Sequence, residues 1–346
     1  MSWIGVDGGG SKTEACLLED GGIARTCFGG ASAVRPGQVG ASAEVLISLM
    51  RELLSQSNLR RVSVLCVGVA GVGRDPERQE LMMLLESADL ADTVIVRTDA
   101  EIAHYAAFGQ GAGILLIAGT GSVAFGRGGD AIDSTPLSRC GGWGPGIGDE
   151  GSGSWIGKRA LGMVAAALDG RKYPRTALVS SILGELGLSR GEQLIPWAAS
   201  ATPGGLASLA QAVLALAAEG DPASVEICSA AAAELVSLVS ALLARLCFAP
   251  GLVEVTVPVA MVGGLLQSQN EGPGLLRGLV EERLKLVVLD GAEQRVQVSP
   301  VPGPISAVQG AVAMAKATAT AKVMATAAPT PSVPLDLGRG TTELRK

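Results

Sequence analysis

The residues of this chain best suited to chemistry sit in glycine-rich turns that follow apolar runs. The first is GVDGGGSKTEA, residues 5–15, in which Asp7 closes an apolar run, Gly8, Gly9 and Gly10 follow, and Ser11, Lys12 and Thr13 lead into a second β-like run. Glycines admit positive φ and close approach, so successive backbone N–H groups of such a turn can converge on a phosphate, with Asp7 placed to hold hydrated Mg²⁺. A plain hairpin explains the same residues equally well. The stretch is neither a GxxxxGK[ST] loop nor a GxGxxG turn opening a helix, because the residues after the turn are strand-like. A second turn of the same kind, IAGTGSVAFG at 117–126, supplies Gly119, Thr120, Gly121 and Ser122, and two such turns could clasp one polyphosphate from both sides. A later strand ends in Gly263 and Gly264, where a flat base could lie against exposed backbone, although such a pair after a strand is far more often only a turn.

Two further stretches carry side chains of chemical interest. In VIVRTDAEIAHYAA, Asp99 stands where a strand gives way to a helix; a carboxylate there can cap the helix, or it can take a proton from a substrate hydroxyl, as phosphoryl transfer requires. In CGGWGPGIGDEGSGSWIG, residues 140–157, the many glycines around Gly142, Trp143, Asp149 and Glu150 suit a loop shaped round a ligand, with Trp143 as an apolar wall and Asp149 as a hydroxyl acceptor. His104, the only histidine, reads as a core residue of the helix after Asp99.

These residues need a frame, and the sequence supplies an alternating one. Strands are expected over 3–7, 13–19 and the GIARTCF stretch, then a helix over 41–57 with Val45, Leu46, Leu49, Leu53 and Leu54 on one face, and a buried strand over 62–70. Helices at 75–88 and 100–108 alternate with strands at 93–98 and 113–119, which implies a mixed sheet flanked by helices in an α/β fold. After another hairpin-like segment the chain turns helical from 151 to 248, with one long helix expected from Pro222 to Cys247. A strand at 253–262, a helix at 273–285, a strand at 285–289 and an Ala-rich helix at 304–318 come next, and 319–346 reads as a flexible tail.

Composition narrows the function classes. With 27 basic against 33 acidic residues, a net charge of −6 and no basic patch, a nucleic-acid partner is not expected. No apolar segment reads as a membrane span, no secretion leader is expected, and the simplest location is cytoplasmic. The six cysteines form no CxxC pair and have no histidine nearby, so they suggest neither zinc nor a disulfide framework.

Taken in order, GVDGGGSKTEA, RTDAEIA, IAGTGSVAFG, GGWGPGIGDEGSGSWIG and MVGGL resemble the N-acetylglucosamine kinase family, part of the BadF/BadG/BcrA/BcrD ATPase group in the actin, sugar kinase and Hsp70 superfamily. The likeness runs from about residue 3 to about 318, and its most specific part is the GGWG…GDEGSG segment. It implies two ribonuclease-H-like lobes, 1–117 and 118–303, the first completed by the helix at 304–318, with ATP-Mg²⁺ and an amino sugar in the cleft between them. It also implies that Gly8 to Thr13 and Gly119 to Ser122 are phosphate loops, that Gly263 and Gly264 form the adenosine motif, and that Asp7 holds Mg²⁺. Asp99 would then be the base at the sugar 6-hydroxyl, with Thr120, Gly142, Trp143 and Asp149 in the sugar pocket.

The expected activity is therefore ATP-dependent phosphorylation of an amino sugar, with a homodimer left open. One departure bears on the substrate: no asparagine lies between Gly29 and Gly40, where the family usually carries a sugar-binding one; Arg35, nearby, could meet an acidic substituent such as a lactyl group, although an ordinary exposed loop arginine is the commoner case. The rival readings are an ATPase that activates an iron–sulfur dehydratase, which would need a cluster-holding cysteine pair, and a non-catalytic sugar sensor.

Overall fold

The computed structural model describes all residues except 23, 130–136, 247–253, 267–273, 291–294 and 328–346. Its first half opens with three antiparallel strands, β1 (Ser2–Gly8), β2 (Thr13–Glu19) and β3 (Ala24–Gly29), followed by α1 (Val39–Gln56), β4 (Val64–Val69), α2 (Asp75–Ser87), β5 (Val94–Arg97) and α3 (Asp99–Phe108). Among the described residues the five strands form one sheet in the order β3-β2-β1-β4-β5, with β1, β4 and β5 parallel. β4 is buried along its whole length, as an uninterrupted VLCVGV run between two helical layers should be. One face packs Ile4, Val6, Leu65 and Val67 against Leu46, Leu53, Leu81 and Leu85 of α1 and α2.

The second half repeats this plan. β6 (Gly113–Ala118), β7 (Ser122–Arg127) and β8 (Ser138–Gly141) are antiparallel neighbours. A helical block comes next: α4 (Gly153–Leu168), α5 (Leu178–Glu185), α6 (Leu194–Ser200), α7 (Pro203–Ser208), α8 (Ala210–Ala218) and α9 (Pro222–Leu243). Then come β9 (Glu254–Val262), α10 (Leu275–Leu284), β10 (Val288–Asp290), β11 (Arg295–Pro300) and α11 (Ala307–Ala327). The second sheet runs β10-β11-β9-β6-β7-β8. Read from β8 to β11 it has the strand order of the first sheet, with β10 added at one edge.

Several boundaries differ from the sequence reading. The long helix stops at Leu243 rather than Cys247, which lies outside the described residues. The chain turns at Ala244 and Arg245, and apolar composition alone carried no stop signal. α9 is long and apolar enough by length and composition to cross a membrane, but Ile227, Ala231, Leu235, Val239 and Leu242 fill the core of the second half, so the helix is accounted for by packing. β11 was not foreseen, and the strand expected at 285–289 is the short β10. α11 continues to Ala327, past the expected end at 318, so residues 319–327, read as the start of a flexible tail, are helical; Ala311, Ala315 and Ala319 pack on Trp3, Val64 and Cys66.

The two sheets meet through α3 and α11. Trp3, Val64 and Cys66 of the first sheet touch Ile102 and the alanines of α11, while Leu115, Ala260 and Val262 of the second pack on Ala103 of α3 and its neighbours. The packing is close enough that a Cβ at Gly310 would lie 2.0 Å from the Ile102 carbonyl oxygen. The seam between the sheets is thus filled by two small-residue helices, and the carboxyl ends of β1, β4, β5, β6 and β9 open at its edge.

Candidate functional site

In open α/β sheets ligands bind beyond the carboxyl ends of the parallel strands, and the residues of chemical interest cluster there. Gly8 pairs with Val69 and Gly68 with Arg97, so the β1–β2 turn, the end of β4 and the start of α3 are neighbours. The turn is braced from behind. Gly9 N–H donates to the Lys12 carbonyl (3.0 Å), and the Gly9 carbonyl accepts from the amides of Ser32 and Ala33 (3.1 Å each). Thr13 is fully buried, its hydroxyl placed 2.6 Å from the Gly30 carbonyl and 2.7 Å from Ser32 Oγ. A Cβ at Gly8 would lie 2.4 Å from Ser32 Oγ, so Gly8 and Thr13 form the frame of the loop while Gly10, Ser11 and Lys12 are its exposed rim.

Asp7, Gly9, Gly10, Ser11, Lys12 and Glu14 line a cavity of about 250 Å³. Asp7 and Glu14 are direct cross-strand partners, an arrangement of like charges that costs energy unless a cation intervenes. Burial, and then repulsion from Asp99 and Glu14, push the Asp7 carboxyl up to about 6, with Lys12 offsetting part of the rise. Glu14 was not foreseen as part of the site; its alternation with buried Thr13 and Ala15 is the signal that places it on the Asp7 side.

Asp99 is the first residue of α3, and it does not cap the helix. Thr98 does: its hydroxyl accepts from the Glu101 amide (3.1 Å), and the Glu101 carboxylate accepts from the Thr98 amide (2.7 Å). This capping box, legible as Thr-x-x-Glu, frees Asp99 from capping; its Oδ1 accepts from the adjacent Ala100 amide at 3.0 Å. Asp99 reaches solvent at the edge of the seam, yet its carboxylate is set among protein atoms, and that desolvation raises its pKa above the ordinary value, with the Ala100 amide pulling the other way. Arg78 and Arg97 approach Glu101 (3.5 and 4.0 Å) and hold the cap in place.

The second turn is fastened to α4. Gly153 N–H donates to the Gly119 carbonyl (2.8 Å), Ser154 N–H to the Thr120 carbonyl (3.2 Å), and Ser122 Oγ to the Glu150 carbonyl (2.7 Å). Thr120 is left exposed. Gly142 N–H donates to the Ser122 carbonyl (2.9 Å), which joins the glycine loop to the same turn. Asp149 is buried with φ of 59°, a conformation costly for a non-glycine residue and one that collects at functional sites. Its Oδ1 accepts from the Gly144 amide (3.3 Å), and its Oδ2 lies so near Gly121 that a Cβ there would be 2.7 Å away. Trp143 is 67% exposed, with the Arg139 guanidinium 5.1 Å from its ring, so an open aromatic face borders the loop. Gly263, with φ of 97°, approaches Ala118 so closely that a Cβ would sit 2.3 Å from its carbonyl oxygen, which accepts from Leu265 N–H (3.2 Å). The Gly119–Ser122 turn, the glycine loop and the Gly263–Gly264 corner therefore form one bonded unit.

Arg277 was not foreseen. It is buried on α10 and donates to Glu281 Oε1 (2.7 Å) and to the carbonyls of Leu266 (3.0 Å) and Val301 (3.2 Å), pinning the segment after Gly263 to the end of β11. An arginine flanked by the buried stripe Leu276, Val280 and Leu284 was the available signal. Arg35 is exposed on a loop anchored to β4 by Val34 N–H to the Ala70 carbonyl (2.8 Å). His104 is a core residue: its Nε2–H donates to the Gly113 carbonyl (3.1 Å), and burial pushes its pKa down to about 4. Cys16, Cys27, Cys66 and Cys228 are buried, and burial raises the Cys66 thiol to about 12. No group of three or more metal-ligating side chains occurs among the described residues.

Residues 4–315 match the family model of the BadF/BadG/BcrA/BcrD ATPases. The chain belongs to that family. It is 34% identical over 237 residues, 67% of this chain and 76% of the relative, to the N-acetylmuramic acid/N-acetylglucosamine kinase of Clostridium acetobutylicum. It is 31% identical over 210 residues, 57% of this chain and 64% of the relative, to the N-acetyl-D-glucosamine kinase of Dictyostelium discoideum. A candidate N-acetylglucosamine kinase from Chromobacterium violaceum superposes with a TM-score of 0.66 at 26% identity, over 90% of this chain and 98% of that one. The fold of this family member is that of the actin-like sugar kinases, as the duplicated strand order indicates.

Proposed function

We propose that the protein is an ATP-dependent kinase for the 6-hydroxyl of an amino sugar of the N-acetylglucosamine, glucosamine or N-acetylmuramic acid type. The observation that carries this reading is the position of Asp99: relieved of capping by Thr98, raised in pKa by burial, and close enough to Asp7 to perturb it at the edge of the seam. Membership of an ATPase family and the kinase names of two relatives support it. Asp99 accepts the 6-hydroxyl proton as the sugar oxygen bonds to the γ-phosphorus and ADP departs with the bridging oxygen. Gly10, Ser11 and Lys12 on one side, and Thr120 with Gly121 on the other, present amides and a cation to the phosphates, while the backbone at Gly263 and Gly264 receives the base. Gly142, Trp143 and Asp149 border the sugar.

The Asp7 and Glu14 carboxylates fit a hydrated divalent cation, since they face each other on a cavity open to the turn, with Lys12 offsetting only part of their mutual repulsion. When bound, Mg²⁺ would screen the charge of the nucleotide phosphates. The division into lobes near residue 117 and a cytoplasmic location belong to the same proposal, as does Arg35 as the contact for an acidic sugar substituent. The test is ADP release against glucosamine, N-acetylglucosamine, N-acetylmuramic acid and glucose; release with one or more amino sugars is expected, and no response to any of the four would overturn the reading.

A further inference from the structure

A cavity of about 610 Å³ lies between α4 and α9, away from both glycine turns, with Trp155, Lys158, Arg159, Lys172 and Glu226 among its walls. Its size falls in the range of roughly 300–1,000 Å³ typical of small-molecule sites. Three cations face one carboxylate there, in a chain whose net charge is −6. Glu226 is committed, accepting from Lys172 Nζ (2.5 Å) and the Tyr173 hydroxyl (3.0 Å). Lys158 and Arg159 are exposed, and neither forms an ion pair among the described residues. The Arg159 guanidinium lies 4.8 Å from the centre of the Trp155 ring, and its charge also helps to lower the pKa of Glu226, after the Lys172 and Tyr173 hydrogen bonds. A planar fork, a neighbouring ammonium and a half-buried indole together suit a carboxylate or phosphate carried on a ring with apolar C–H faces.

The groove also touches the machinery of the site. Trp155 and Lys158 line a second, smaller cavity of about 190 Å³ whose opposite wall is Pro145 to Gly148 and Glu150 of the glycine loop. They belong to the first turns of α4, whose Gly153 and Ser154 amides hold the Gly119 and Thr120 carbonyls. A molecule seated on Trp155 and Arg159 therefore bears on the helical turn that positions the second glycine turn.

We propose that this groove is a second ligand site for a small anionic sugar, phosphorylated or carboxylated, and that its occupancy adjusts the Gly119–Ser122 turn through α4. The binding does not depend on the kinase reading; the adjustment of turnover rests on it. The test is calorimetric titration of the full chain, with N-acetylglucosamine held in excess to fill the main site, using N-acetylglucosamine 6-phosphate, N-acetylmuramic acid and inorganic phosphate as separate probes. One-to-one binding of at least one anionic sugar is expected, weakened about tenfold or more in Lys158→Ala/Arg159→Ala and measurably in Arg159→Lys, since a lost charged hydrogen bond carries at least that much. The two sugar arms separate a phosphate from a carboxylate as the recognised group. Circular dichroism of each variant confirms that it is folded. Failure of both sugars to bind the wild type, undiminished binding by the folded double variant, or inorganic phosphate binding as tightly as the sugars would each overturn the proposal. So would a double variant that instead dissolves a dimer, which would make the groove a subunit contact. Sugar-anion binding without ADP release would sink the kinase reading alone, and ADP release without such binding would sink this site alone.

Discussion

Replacing Asp7 by Asn should make the ligand-free protein more stable at pH 8. Asn keeps the shape of the side chain and removes its charge, so the comparison isolates the cost of ionising a carboxyl that is desolvated by burial and held beside Asp99 and Glu14. That carboxyl has its pKa raised from 3.8 to about 6. A group that holds its proton more tightly in the folded state destabilises that state as pH rises: the cost is absent well below 3.8, where both states are protonated, is still small near pH 4, grows across the window from 3.8 to 6, and is complete above it. At 1.36 kcal/mol per pH unit the full effect is about 3 kcal/mol, an upper figure because the unfolded chain retains some structure.

Urea unfolding of wild type and Asp7→Asn at pH 4, 6 and 8 measures it directly. The variant should gain about 1–3 kcal/mol at pH 8 and the two curves should converge at pH 4. Equal stability at pH 8, or a gain that persists on acidification, would refute the electrostatic account. If the carboxylate is the cation contact, adding Mg²⁺ with ADP at pH 8 should raise the midpoint of the wild type more than that of the variant.

Other substitutions probe separate parts of the site. Asp99→Asn should lower kcat by about 10²–10⁴ with ATP binding retained in a nucleotide titration, and wild-type activity should fall on acidification at a pH above the ordinary carboxylate range, since the base must be ionised. Gly263→Ala places a Cβ 2.3 Å from the Ala118 carbonyl oxygen at a φ of 97°; a loss of about 1–3 kcal/mol in urea unfolding and a raised KM for ATP are expected. Arg277→Lys keeps the charge but not the fork that reaches Leu266 and Val301, so KM for ATP should rise several-fold while KM for the sugar holds, a split that general loosening of the fold would not produce. Leu46→Ala, in the core on the far face of the first sheet, should cost about 2–5 kcal/mol and leave both KM values unchanged.

The strands that carry the site were legible because each is a short apolar run cut by glycine, and the loop at 140–157 because its glycines have no use in a core. What escaped depended on neighbours. Arg295–Pro300 alternates buried Val296 and Val298 with polar residues, but six residues between turns are too few to separate strand from loop without the partner strand β9. The end of α11 escaped because threonine-rich sequence has modest helix propensity; Ala319 is held in the helix by contact with the first sheet, which no local pattern announces. The role of Thr98 was readable from Thr-x-x-Glu, and with it the freedom of Asp99. For Arg277 the apolar stripe around it signalled burial but not its partners, since its acceptors include carbonyls of two distant segments.

The duplicated frame also explains why a like-charged cross-strand pair sits at the first hairpin only. The last hairpin pair is Gly8 with Thr13 in the first sheet and Ala118 with Ser122 in the second. One step inward, Asp7 and Glu14 correspond to Ile117 and Val123, and Ile117 packs with Leu115 and Val262 in the cluster that touches α3. A second carboxylate pair at 117 and 123 would set another like-charged, partly desolvated couple at the same seam, with a cost of the same order as the roughly 3 kcal/mol at Asp7 and no lysine in the shorter Gly119–Gly121 turn to offset it. On the proposed reading, the first copy of the fold would hold a cation and move a proton, whereas the second, bolted to α4, would offer backbone amides and a shaped loop. The two copies have the same architecture because both need a hairpin turn at the end of a parallel strand, and they differ one step inward because a second like-charged pair there would add its cost to that already carried by Asp7 beside Asp99 and Glu14.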